Sequence, residues 1–126
     1  MLKKIMIFAM FILLILGALL QNAYLEETFA SLSSQVAAVE EAFTAGDHSA
    51  ARSRMEELTA SLDQAQAALS SLLQHEEIDN IKSEMLGLAA LVDTDDRDDF
   101  FVTSARLQYY LEHIPNTDRI CLENIL

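Results

Sequence analysis

The sequence predicts an all-α protein: an N-terminal transmembrane helix followed by an antiparallel bundle of about four helices. Three observations lead there. Residues 5–20 carry no charge. Beyond them, apolar residues recur in steps of three and four along four successive stripes, the rhythm of packed helices. Three Gly and one Pro in 126 residues leave little turn-forming material for an all-β fold.

The first element begins after Lys3 and Lys4. Ile5 to Leu20 is rich in Ile, Leu, Phe and Met, and each strongly apolar residue favours insertion by roughly 0.3–0.6 kcal/mol. As a helix the run spans ~24 Å, somewhat short of a ~30 Å hydrocarbon core. Snorkelling lysines cover the deficit at one end, and Tyr24 suits the other interface. The partner predicted for residues 5–24 is therefore the lipid bilayer. A cleaved signal peptide is the competing reading, with secretion as its consequence. It fits less well: the run exceeds the usual apolar length, and Leu16 before Ala18 and Gln21 before Ala23 spoil the small-x-small cleavage pattern. No Cys lies nearby for lipid attachment.

Orientation follows from charge. Both early lysines precede the span, and all 20 acids follow it against Lys82 and five Arg. The positive-inside rule places residues 1–4 in the cytoplasm and residues 25–126 beyond the membrane as an extracytoplasmic domain.

The four stripes account for that domain. The first is Leu25, Phe29, Leu32, Val36, Val39, Phe43. Gly46 suits a helix C-terminus and Asp47 a new N-cap. The second is Ala51, Met55, Leu58, Leu62, Ala65, Leu69, Leu72. The third is Ile78, Ile81, Met85, Leu88, Val92. The fourth is Phe100, Ser104, Leu107, Leu111, Ile114, after which Pro115 and Asn116 interrupt the pattern. Each stripe is a narrow seam with a period of about 3.5, which implies near-parallel packing, and short connections make sequential neighbours antiparallel. Residues 73–77 contain neither Gly nor Pro, yet the seam slips between Leu72 and Ile78. A break is expected there; the alternative is three helices with a long middle one. Shifting the first two stripes by 49 residues lays them on the last two, Phe29 on Ile78 and Leu58 on Leu107. That offset is a multiple of seven, so in-phase heptads produce the same match without duplication.

Composition excludes several functions. A formal net charge of -12 is wrong for a phosphate-backbone binder, so no nucleic-acid partner is expected. One Cys rules out an internal disulfide and a multi-Cys zinc site. There is no G-x-S-x-G, P-loop or G-x-G-x-x-G, and no enzyme is expected. His75 and Asp79 share a helix face, but this is not H-E-x-x-H, and a helix-start hydrogen bond is the plainer reading. Asp93 to Asp99 holds five acids. An EF-hand counted from Asp93 would need Gly at Asp98 and Glu at Ser104, so a solvated turn at a helix N-terminus is preferred. Cys121 is expected to be buried, and Ile120, Leu122, Ile125 and Leu126 to dock the tail on the bundle. At least one of Tyr109 and Tyr110 should be exposed. No catalytic, cofactor or metal residue is assigned.

The segment His75-Glu76-Glu77-Ile78-Asp79-Asn80-Ile81 resembles a bacterial family catalogued as domain of unknown function 4363. The likeness continues through Leu88, Leu107, Leu111 and the closing Leu122-Glu123-Asn124-Ile125-Leu126. It includes the Gly46-Asp47 turn with Ala51 and the short hydrophobic N-terminus. The family pattern often carries a Trp in the second helix, and this chain has none. The resemblance implies a small membrane-anchored helical protein and brings no activity with it. The function expected is an interaction or structural module that pairs with a membrane or envelope protein. The alternative is a sensory or binding bundle for a cation or small ligand.

Overall fold

The computed structural model describes residues 1–117. The readings of Cys121 and of the docked tail lie outside the described residues. Four helices follow in order: α1 Leu2–Thr44, α2 His48–Leu72, α3 His75–Leu91 and α4 Arg97–Thr117. The apolar leader and the first stripe share one continuous helix of 43 residues, about 65 Å long. No residue before Leu25 is buried, and from there the stripe positions Leu25, Phe29, Leu32, Val36, Val39 and Phe43 all are. Residues on one stripe lie on one face of α1, so the same rod is exposed all round below and one-sided above.

The α1–α2 turn is built as its residues require. Gly46 has φ 76, a left-handed value that costs an L side chain about 1–2 kcal/mol. Asp47 then caps α2, its Oδ1 accepting from the Ala50 N–H at 3.0 Å. Gly46→Ala is expected to lower stability by about 1 kcal/mol. Nothing lies within 4 Å of an added Cβ, so the loss is conformational, and a urea midpoint shifted at unchanged slope would record it.

α2 ends as the slipped seam predicts. Leu73 is extended, at φ -117 and ψ 159, and Gln74 and Glu77 close a reciprocal capping box on α3. The single long middle helix is thereby excluded. Extension also rotates the chain, so Leu73 is buried where the seam pointed to Leu72, which is only partly covered. The third and fourth stripes are buried at every position. Ser104, fully buried within the fourth, donates its hydroxyl to a Glu40 carboxylate oxygen on α1. The interruption expected at Pro115 does not end α4, which runs to Thr117. A proline in the final turn forfeits only its own amide bond, and two further residues need not bend away.

Successive helices run antiparallel. α1 packs on both α2 and α4, and α3 packs on α4. Of the helix pairs that touch, α2 and α3 meet least. At the end far from the apolar leader, Phe43 stacks on Phe100 with centroids 3.7 Å apart and planes 7° from parallel. Phe101 meets both rings edge-on, and Arg97 lies 5.8 Å from its centroid.

Candidate functional site: an open groove between α2 and α3

Hollows open on several faces of the bundle, and those between α1 and α2 and between α1 and α4 are lined largely by Ser, Thr, Gln and Glu. The α2–α3 face differs in being mainly apolar. Because these helices pack loosely, two adjoining hollows of about 370 and 190 Å³ open between them. They share Thr59, Asp63 and Ala89. The buried seam residues Met55, Leu62, Met85 and Val92 form the apolar floor. Leu86 stands on the α3 side with 74% of its surface exposed, the most exposed large apolar residue outside the leader helix among those described.

The α2 rim carries Arg52, Glu56 and Asp63; the α3 side carries Lys82 and Asp93. Two polar links close the far end. Arg52 grips Asp93 at 2.7 Å through Nη2, with Nε adding a second contact at 3.2 Å. The His48 Nδ1–H donates to the Val92 carbonyl at 2.9 Å. These links tie α2 to the end of α3 without close helix packing. Hydrogen bonding to Arg52 holds the Asp93 carboxyl below the usual carboxylate range, with the guanidinium charge acting in the same sense. A depressed folded value means stability present at neutral pH and lost as pH falls through that value, below about pH 4. Both side chains are about half exposed, so the effect is small. Arg52→Gln should flatten that part of the stability–pH curve and leave the rest unchanged, as read by thermal melts across the acid range.

The acidic run is also accounted for. Asp93 pairs with Arg52 and Asp95 lies 3.5 Å from His48. Asp96 accepts from the Asp99 N–H at 3.1 Å, starting α4, and Asp98 and Asp99 occupy its first turn, where the helix dipole favours acids. His75 and Asp79 sit exposed on α3, and no hydrogen bond or ion pair joins them; the helix start is capped by Gln74 and Glu77 instead. Among the described residues, no three or more His, Cys, Asp or Glu come together as a metal site. Tyr109 is 57% exposed and stacks on His113 at 3.9 Å, whereas Tyr110 packs partly against the core.

The sequence reading missed the groove. Its one signal was Leu86, an apolar residue off the seam, beside Met85 and followed one turn on by the small Ala89. Ala89 leaves the α3 surface low where α2 should meet it.

Residues 19–125 match the family described as domain of unknown function (DUF4363). The chain belongs to that family. No curated protein and no solved structure matches it. Within this DUF4363 chain, one helix, the leader end of α1, is long and apolar enough to cross a membrane among the described residues, and none of that stretch is buried in the protein.

Proposed function

We propose that this protein is a single-pass, membrane-anchored interaction module that works by docking a protein partner at the membrane or envelope and does no chemistry of its own. The observation that carries the reading is the α2–α3 groove, an apolar floor with an exposed Leu86 beside it, where the other hollows of the bundle have more polar linings. Exposed apolar surface rimmed by charge is what an association surface offers. Residues 5–24 hold the chain in the bilayer, uncleaved. Lys3 and Lys4 keep the N-terminus cytoplasmic, and the acidic bundle stands outside.

A photo-reactive amino acid at Leu86 of the full-length chain tests the reading in intact cells. The expected result is a discrete adduct from position 86 and none from Asp98, at the start of α4. Equal labelling from both positions, or none from either, would remove the groove as a docking surface. Topology is tested separately: protease added to intact cells should degrade residues 25–126, and their protection would reverse the assignment.

A further inference from the structure

We infer that the occupant of the groove is the same groove on a second copy of this chain, the two copies related by a two-fold axis along the membrane normal. This rests on the groove being a docking surface, as proposed above, and names what docks there.

The register between α2 and α3 follows from the Arg52–Asp93 pair and their antiparallel course. Moving toward the membrane from that pair, the facing levels are Glu56 with Ala89, Thr59 with Leu86, and Asp63 with Lys82, all of which line the two hollows. Asp63 and Lys82 therefore stand at one level with opposite sign. Among the described residues neither is in an ion pair. A two-fold rotation along the groove exchanges its sides, laying α2 of each copy on α3 of the other. Asp63 then meets Lys82 of the second copy, and the reverse contact forms by symmetry. The face is complementary to itself in charge.

It is complementary in shape at the level above. Each Leu86 projects toward Thr59 of the other copy, beside the small Ala60 and Ala89. Thr59 adds no unmet donor, because its hydroxyl already bonds the Met55 carbonyl at 2.9 Å. Leu86 is thus a knob and the widened α2–α3 space a hole. The other two-fold, which would lay α2 on α2, points the two anchors in opposite directions. Two chains in one bilayer cannot adopt it. Anchoring also confines both copies to one plane at one height, which raises their effective concentration and lets a modest face suffice.

Charge reversal across chains tests the pairing. Asp63→Lys makes both sides of the groove positive, and Lys82→Asp makes both negative. Full-length copies carrying two different fluorophores are reconstituted in phosphatidylcholine vesicles, and energy transfer between them is measured. The parent chain should show transfer well above that of a diluted control. Either variant alone should lose about tenfold in association, two attractions having become two repulsions. Mixing the two variants should restore transfer, since position 63 of each chain then again faces a charge of opposite sign at position 82 of the other; no intramolecular repair can do this. Helical circular dichroism, unchanged in each variant, shows that both fold. Absence of transfer in the parent, or variants that associate as the parent does, overturns the inference. If position 86 still captures a different protein in cells, the docking reading survives and only self-pairing falls; if it captures nothing, both fall.

Discussion

Phe100→Ala should lower the thermal midpoint of the full-length protein by roughly 15–30 °C, equivalent to about 3–5 kcal/mol at the sensitivity of a domain near 100 residues. Phe100 is fully buried. It stacks on Phe43 at 3.7 Å and meets Phe101 edge-on, so truncation removes the centre of a ring cluster that joins α1 to α4. Among the described residues, no disulfide or cluster of metal-binding side chains holds the far end once the rings are gone. A domain of this size has only about 5–15 kcal/mol in hand, so the variant should keep only a fraction of its stability. Circular dichroism melts in detergent would measure it, with Val102→Ala, half exposed on the same helix, as the comparison. A loss below about 1 kcal/mol would show that the ring stack is not an organising contact.

The other large effect belongs to the leader. Ile12→Asp combined with Leu13→Asp should move the protein from the membrane pellet to the soluble or degraded fraction. Eleven Ile, Leu and Phe lie between residues 5 and 20, together worth about 3–7 kcal/mol of insertion. Each central Asp costs about 2.5–3.5 kcal/mol and removes an apolar residue as well. Two substitutions cost roughly 6–8 kcal/mol, which meets or exceeds the whole driving force. Either change alone should leave a membrane-bound majority. Carbonate extraction followed by blotting reads all three chains. Full membrane retention of the double variant would mean that something other than residues 5–24 holds the protein there.

Much of the fold was legible in the residues. Period alone located the buried faces of α3 and α4 completely, because a narrow seam on a helix leaves only one way to hide it. The α2–α3 break was readable from a one-residue slip, since a seam must realign whenever the chain turns back. Leu73 was not readable: its burial depends on an extended residue after α2, which alters the direction of the next side chain by an amount periodicity does not encode. Persistence of α4 through Pro115 also escaped, because the cost of proline depends on how many helical residues follow it. The groove was the least legible feature. Met55, Leu62 and Met85 look like any seam positions, and whether two seams meet tightly depends on the other pair of helices that sets their spacing.

The unbroken α1 rod has a mechanical consequence. Torsion cannot be lost at a swivel between the greasy lower half and the packed upper half, as no Pro interrupts Leu2–Thr44. One residue added between Leu20 and Tyr24 would therefore act as a crank: it would lift the whole bundle by ~1.5 Å and swing its azimuth by ~100°, with every internal contact preserved.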